Sequence, residues 1–396
     1  MKTRLSCAWL AGLVLLAGLH DAAWAQASAP AALAAASSET LALDMREEVL
    51  RTQVTVKDMY GREETRPMPI TIYRPAGDGP YPVVVMNHGR PVPAKRAAQK
   101  RFRPESLARY FVAKGLVVLV PMRVGYWETL GDFDPEDSGN CGSKRVQAMH
   151  LAASQQVLAA MAFAKTLTYA DTSRWLVAGQ SVGGLTSVAT VARHPPGLLG
   201  GINFSGGTGG NPDTRPGNPC DPAALARHWE TLAKGAEAPM LWLYWQNDKF
   251  NGEDAPKRWH RAWQEGGGKA EFHSLPPVGE DGHSGFNIDM ERWLPLVDAF
   301  MVSLGFTQNA IVKAPPPSGF ARQDEVDKVP VRETGRAGYR RFLELTGPRA
   351  FAVSSGGGYG FAHGDYAVGH ALGNCMRLGA KSCKLYAVDD QVVWTK

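Results

Sequence analysis

The chain has 396 residues, of which 44% are hydrophobic and 20% charged, and its formal net charge is +5. This apolar fraction excludes a disordered or low-complexity chain, and the length allows a large hydrophobic core. So small a charge on so long a chain gives no reason to expect nucleic acid as a partner.

The N-terminal residues have the pattern of a secretory signal peptide. Lys2 and Arg4 form a basic region, residues 8–19 are apolar, and residues 23–25 match a small-residue cleavage site. We therefore predict a signal peptide over residues 1–25 and an exported mature protein, periplasmic or secreted. No later run reaches the roughly 18 apolar residues of a membrane helix, so no membrane span is expected.

Strand-like and helix-like segments alternate between residues 81 and 304. This alternation predicts a doubly wound, mostly parallel α/β sheet within one domain, which we assign to residues 26–312. Residues 68–74 form an additional strand that we expect to be antiparallel. The other predicted strands are 83–86, 116–121, 175–178, 201–204, 241–245 and 271–275, and the clearest helices are 104–114 and 145–167.

A candidate oxyanion loop follows the strand at 83–86. The sequence continues Asn-His-Gly-Arg-Pro over residues 87–91, and a loop of this kind directly after a strand can place a backbone N–H group where an oxyanion forms. Pro91 has no N–H group, so the backbone amide of Arg90 is the preferred donor, with Gly89 second. An ordinary turn at the end of a strand remains the alternative.

Five basic residues cluster directly after this loop. Three interpretations are open: a solvated surface, attraction of an anionic substrate, or contact with an anionic polymer or envelope. We favour the solvated surface. The residues are Lys95, Arg96, Lys100, Arg101 and Arg103.

Two long connections interrupt the alternation, at residues 123–143 and 205–221. Long loops in compact domains usually form functional rims or lids. The first contains Tyr126 and Trp127, which are candidates for substrate contact.

A Gly-x-Ser-x-Gly motif at residues 179–183 is the most informative feature of the chain. It follows an apolar strand and precedes a helix-compatible segment, which is the context of a nucleophile elbow. Ser181 is therefore the predicted nucleophile. The backbone N–H of Val182, the next residue, is the predicted second oxyanion donor.

An acid and a histidine follow Ser181 in the order that this architecture requires. Asp248 comes shortly after the strand 241–245, and His283 lies in a glycine-rich loop after the strand 271–275. We predict that Asp248 orients the His283 imidazole. The alternatives weighed are Glu253, Asp254 and Asp281 for the acid, and His260 and His273 for the base.

These motifs together resemble the alpha/beta-hydrolase superfamily, in particular its dienelactone-hydrolase-like branch of secreted bacterial proteins. The resemblance rests on residues 88–89, 179–184, 244–248 and 281–283 and covers roughly residues 45–306. Dienelactone hydrolases proper carry a cysteine at the elbow, where this chain has Ser181. The resemblance therefore implies a serine esterase, similar to hydrolases of small esters, phospholipid acetyl groups or polyesters.

Four cysteines remain after the predicted signal peptide. An even number in an exported chain suggests disulfides, and four cysteines allow three pairings. We predict Cys141–Cys220, between two loops at one end of the sheet, and Cys375–Cys383 near the C-terminus.

The C-terminal part is predicted as a separate small unit. Residues 313–330 have the composition of a proline-rich linker, and residues 331–396 contain two strand-like segments and two helix-like segments. We expect a small α+β unit cross-linked by the disulfide Cys375–Cys383. It resembles small cysteine-bearing modules appended to secreted bacterial proteins.

The sequence thus predicts an exported serine hydrolase that cleaves a small-molecule or polymeric carboxylic ester through an acyl-enzyme. No metal or organic cofactor is expected. Two alternatives stay open: a serine peptidase or amidase on the same fold, and a non-catalytic protein that binds through its C-terminal unit.

Overall fold

The computed structural model describes residues 41–42, 45–75, 77–306, 315–364, 367–377 and 383–395, with only the backbone at 369, 370, 373, 376 and 377. The predicted signal peptide lies outside these residues. Within them, no helix is both long enough and apolar enough to cross a membrane.

Eight strands form the main sheet in the order β1-β2-β4-β3-β5-β6-β7-β8. β2 pairs antiparallel with both β1 and β4, and every other pairing is parallel. The strands are β1 (Glu48–Lys57), β2 (Glu63–Tyr73), β3 (Tyr81–Asn87), β4 (Val117–Pro121), β5 (Ala170–Gln180), β6 (Leu198–Phe204), β7 (Met240–Trp245) and β8 (Ala270–Leu275).

Strand β1 is absent from the sequence prediction. It lies at the edge of the sheet, and of its ten residues only Val54 and Val56 are buried. An edge strand with so few buried positions needs few apolar residues, so its sequence carries a weak signal.

Helices cover both faces of the sheet. α2 to α5 contribute to one hydrophobic core, and α1, α6 and α7 contribute to the other. Strands β4 and β7 are buried along their whole length because they lie between these two layers. The helices are α1 (Glu105–Ala113), α2 (Val146–Ala164), α3 (Val182–Val191), α4 (Pro222–Ala233), α5 (Asp254–Glu265), α6 (Gly285–Ile288) and α7 (Met290–Ser303).

The second sheet is antiparallel, with the strand order β10-β9-β11-β12. Aromatic side chains on one face pack with α8, and small residues such as Ala350 and Ala352 on the other face pack with α9. Its elements are α8 (Glu333–Glu344), β9 (Arg349–Ser354), β10 (Tyr359–His363), α9 (Ala367–Arg377), β11 (Cys383–Val388) and β12 (Gln391–Val392).

The described part of the predicted linker packs against this second sheet. The Ser318 N–H donates to the Val392 carbonyl at 2.9 Å, the Phe320 ring lies edge-on to Tyr386, and Val329 is buried. Parts of residues 318–329 therefore contact the second sheet, although the composition of the segment resembles that of a spacer.

The predicted fold class is confirmed: a doubly wound, mostly parallel sheet, and a small α+β region that carries a disulfide. Both predicted disulfides are present. Cys141–Cys220 joins residues 79 positions apart, and Cys375–Cys383 joins residues 8 positions apart.

Candidate active site

Ser181 occupies the sharp turn between β5 and α3. Its backbone has φ 59° and ψ −124°, a left-handed conformation that a residue with a side chain rarely adopts. The Ser181 N–H donates to the Phe204 carbonyl at 2.9 Å, and its carbonyl accepts from the Leu185 N–H at 3.1 Å. These bonds hold the strained turn at the carboxyl end of the sheet.

The two glycines of the motif are required by close backbone contacts. A Cβ atom at Gly179 would lie 2.2 Å from the Gly183 carbonyl oxygen, and one at Gly183 would lie 2.1 Å from the Asn87 carbonyl oxygen. Any larger residue would force these chains apart, so the elbow tolerates only glycine at both positions.

Asp248 and His283 come together across the sheet edge. The His283 Nδ1 atom lies 3.0 Å from both carboxylate oxygens of Asp248. The loop after β7 brings the aspartate and the loop after β8 brings the histidine, and both side chains are largely buried. Because an ionised carboxylate only accepts hydrogen bonds, the Nδ1 atom carries the proton and Nε2 is the basic atom.

Asp248 is held as a carboxylate by its surroundings. Burial raises its pKa, but the positive charge and hydrogen bond of His283, and the backbone N–H groups of Asn251 and Phe250, outweigh burial and hold the pKa below its usual value. The Asn251 side chain also donates to Asp248 Oδ2 at 3.0 Å. An acid in this environment stays ionised well into the acidic range.

The alternative acids and bases have other partners. Asp281 accepts from the backbone N–H groups of His283 and Lys249, so it shapes the histidine loop. His260 contacts the Ala270 carbonyl, and His273 pairs with Glu271. Glu253 and Asp254 are exposed at the start of α5.

Ser181 and His283 are connected through neighbouring residues and not by a direct hydrogen bond. Among the described residues, no bond within 3.5 Å joins the serine hydroxyl to the imidazole. The Gln180 side chain donates to the His283 carbonyl at 3.1 Å, and Phe250 stacks on the imidazole while lining the same cavity as Ser181. Such hydroxyl–imidazole bonds often form only when substrate is present.

A cavity of about 170 Å³ opens at Ser181. Both predicted oxyanion residues, Arg90 and Val182, line it. Its other walls come from the oxyanion loop, the two long loops and the residues that follow Asp248. They include Pro91, Val92, Asp137, Lys144, Thr208, Gly209, Phe250 and Asn251.

His88 shapes the oxyanion loop and is neutral. The backbone N–H of Arg123 donates to His88 Nε2 at 3.1 Å, which leaves the proton on Nδ1 to donate to the Gly89 carbonyl at 2.8 Å. Burial, together with the positive charge of Arg123, lowers the pKa of His88 well below its usual value. His88 is therefore a buried structural histidine.

The Arg90 side chain belongs to a partly buried polar network. It pairs with both carboxylate oxygens of Asp134, at 3.1 and 2.6 Å, and donates to the Tyr126 hydroxyl at 3.1 Å. Arg96 pairs with the same carboxylate. The pKa of Asp134 is lowered because these guanidinium groups outweigh the effect of its burial. The network holds the Arg90 side chain, and the backbone N–H of the same residue is the candidate donor.

Neither aromatic candidate for substrate contact lines the cavity. Tyr126 is 1% exposed, and its hydroxyl donates to Glu136 at 2.6 Å beneath the oxyanion loop. Trp127 is half-buried in the first long loop. Sequence reasoning missed Phe250 and Lys144, which do line the cavity. Phe250 follows Asp248 by two residues, and this spacing was the only available signal.

The basic cluster is not the solvated surface that we favoured. Arg96 pairs with Asp134, and both Arg101 and Arg103 pair with Glu47, whose side chain is fully buried. Lys95 and Lys100 are exposed. The interpretation was wrong for the three arginines because their partner carboxylates are distant in sequence.

No three His, Cys, Asp or Glu side chains in the described part of the chain are grouped so that they could hold a metal ion.

Comparisons with known proteins found no matching family model and no matching curated protein. Solved structures do match. A proposed dienelactone hydrolase from Klebsiella pneumoniae is 17% identical with a TM-score of 0.42, over 65% of this chain and 98% of its own. Esterase 2 of Thermogutta terrifontis is 16% identical with a TM-score of 0.42, over 60% and 91%. An acylaminoacyl peptidase from Pyrococcus horikoshii is 14% identical with a TM-score of 0.43, over 69% of this chain and 43% of its own.

Proposed function

We propose that this chain is an exported serine hydrolase that cleaves carboxylic esters. One observation carries the proposal: a strained serine at a strand–helix turn shares a cavity wall with Phe250, and Phe250 stacks on a histidine bonded to a buried carboxylate. A nucleophile, a base and an orienting acid in these positions are the parts of an acyl-transfer site.

In the proposed reaction, Ser181 Oγ attacks the ester carbonyl while His283 Nε2 takes the hydroxyl proton. Asp248 remains ionised and stabilises the imidazolium that forms. The imidazolium then donates its proton to the leaving alcohol, which departs as the tetrahedral intermediate collapses to the acyl-enzyme. A water molecule, deprotonated by His283, hydrolyses the acyl-enzyme and restores Ser181.

The proposed oxyanion hole consists of the backbone N–H groups of Val182 and Arg90. Val182 is the first residue of α3, where the helix dipole adds positive potential. Both residues line the cavity at Ser181. Removing one donor of this kind typically lowers turnover by about 10²–10³. This chemistry requires neither a metal nor an organic cofactor.

Export through the signal peptide at residues 1–25 is part of the proposal. The two disulfides, Cys141–Cys220 and Cys375–Cys383, support it, since disulfides persist mainly in oxidising compartments such as the periplasm and the extracellular space.

The test is a panel of esters of graded acyl length and matching peptide amides, assayed on wild type and Ser181→Ala. A fluorophosphonate should label Ser181 alone and abolish ester hydrolysis. Ser173→Ala, at an exposed serine of β5, is the control and should behave as wild type. Faster cleavage of amides would favour a peptidase. Labelling at another serine, or no labelling, would overturn the nucleophile assignment.

A further inference from the structure

The aromatic ring of Phe250 lies flat on the imidazole of His283. The ring centroids are 4.1 Å apart and the planes differ by 24°. Asp248 holds one edge of the imidazole, because the His283 Nδ1 atom lies 3.0 Å from each of its carboxylate oxygens. The carboxylate fixes one edge and the aromatic ring covers one face, so the Nε2 edge is left for the reaction.

The loop after β7 fixes the position of Phe250 as well. Its backbone N–H donates to Asp248 Oδ1 at 2.8 Å, so the acid and the aromatic residue are oriented by one turn. On the other side, the backbone of Gly210 lies against Phe250: a Cβ atom at Gly210 would be 2.5 Å from the Phe250 carbonyl oxygen. The backbone of Phe250 is therefore held on one side by its hydrogen bond to Asp248 and on the other by its contact with Gly210 in the second long loop.

The same side chain belongs to the wall of the cavity that holds Ser181. Much of that wall is polar or backbone, including Asp137, Lys144 and Asn251. Phe250 therefore places an apolar aromatic surface beside both the base and the site of attack. An aromatic face also favours a cation above it, and the imidazole becomes cationic during acyl transfer.

We propose that Phe250 is a positioning residue for His283, an inference that rests on the function proposed above. Its ring holds the imidazole plane and stabilises the imidazolium formed as Ser181 attacks. The residue acts through the histidine, although it also lines the cavity at Ser181.

The structure provides a matched control in the same domain. Phe272 stacks on His260 with centroids 5.0 Å apart and planes 28° from parallel, and His260 contacts the Ala270 carbonyl outside the cavity. Phe272→Leu and Phe250→Leu remove the same kind of stack, but only Phe250→Leu removes it from the proposed base.

The experiment compares ester hydrolysis by wild type, Phe250→Leu, Phe250→Tyr and Phe272→Leu across pH. Phe250→Leu should lower kcat by about 3- to 10-fold, with a smaller change in KM. The acid limb of its kcat/KM profile should move to lower pH by about half a unit, since the imidazolium loses its aromatic neighbour. Phe250→Tyr keeps the ring and should retain both properties.

A second readout does not depend on activity. In the proton NMR spectrum, the His283 ring signals should lose their ring-current shift in Phe250→Leu and keep it in Phe250→Tyr. Wild-type kcat and an unchanged acid limb in Phe250→Leu, or equal losses in Phe272→Leu, would overturn the Phe250 proposal alone. If the wild-type protein cleaves no ester, the proposed function itself is wrong.

Discussion

Arg123 and Glu136 form an ion pair in which both side chains are fully buried. The Arg123 Nε atom lies 2.5 Å from Glu136 Oε1, and Arg123 Nη2 donates to the His88 carbonyl at 3.0 Å. Glu136 also accepts from the Tyr126 hydroxyl. The pair therefore ties the first long loop to the oxyanion loop beneath the cavity.

Breaking this pair should cost stability. Glu136→Gln leaves the Arg123 guanidinium buried without its counter-charge, and we expect the free energy of unfolding to fall by about 3–5 kcal/mol. Urea denaturation of wild type and Glu136→Gln measures this difference in the free energy of unfolding. The control is Glu128→Gln, which breaks the partly exposed pair with Arg51 and should cost no more than about 1 kcal/mol. Equal losses in the two variants would contradict the prediction.

Asp248→Asn should lower kcat by on the order of 10³–10⁴ while the fold survives. The amide is isosteric, but its NH₂ group favours the wrong tautomer of His283 and it cannot stabilise an imidazolium. Circular dichroism and ester kinetics measure the two effects. Asp254→Asn, at an exposed acid of α5, should leave kcat unchanged. Near-normal turnover in Asp248→Asn would rule out Asp248 as the orienting acid.

His150 on α2 and His228 on α4 place their rings 4.6 Å apart. Neither ring nitrogen of His150 has a hydrogen-bond partner in the described part of the chain. Burial, and then the charge of His228, hold the pKa of His150 well below its usual value. The folded protein therefore keeps this histidine neutral at pH values where the unfolded chain protonates it.

Stability should consequently fall as the pH drops below about 6.5, the pKa of an unperturbed histidine. Between that value and the lowered folded pKa, the unfolded state binds more protons, at a cost of up to about 1.4 kcal/mol per pH unit. His150→Leu should flatten this slope in urea denaturation at neutral and mildly acidic pH. His194→Gln, at an exposed histidine, should not. Parallel slopes for wild type and His150→Leu would refute the assignment.

The two disulfides should differ in what they stabilise. On the chain-entropy model, closing 79 residues through Cys141–Cys220 contributes about 4.5 kcal/mol, and closing 8 residues through Cys375–Cys383 contributes about 2.5 kcal/mol. Double serine variants, compared by urea denaturation, measure both contributions.

Loss of the Cys141–Cys220 bridge should also raise KM. A Cβ atom at Gly209, in the cavity wall, would lie 2.7 Å from the Cys220 Cβ, so the bridge supports that wall directly. The Cys375→Ser/Cys383→Ser variant is the control and should keep the wild-type KM. An unchanged KM in the first variant would show that the wall holds its shape without the bridge.

Local sequence was enough to predict most of the fold. The buried parallel strands are continuous apolar runs bounded by turn residues, and the elbow needs glycine at 179 and 183 for backbone contacts that a short motif already encodes. The chain order of serine, acid and histidine predicted Asp248 and His283 as partners. In the structure, His283 Nδ1 lies 3.0 Å from Asp248 Oδ1. The catalytic roles remain predictions.

Tertiary structure alone decided the surroundings of these residues. The sequence does not reveal that Arg101 and Arg103 share the carboxylate of Glu47, more than fifty residues earlier, or that Tyr126 is buried beneath the oxyanion loop. Ion pairs and ring stacks between distant segments depend on how loops pack over the sheet edge, and loop packing follows no short-range periodicity. The stack of Phe250 on His283 is one such contact, because the pairing of β7 with β8 brings together the two loops that follow these strands.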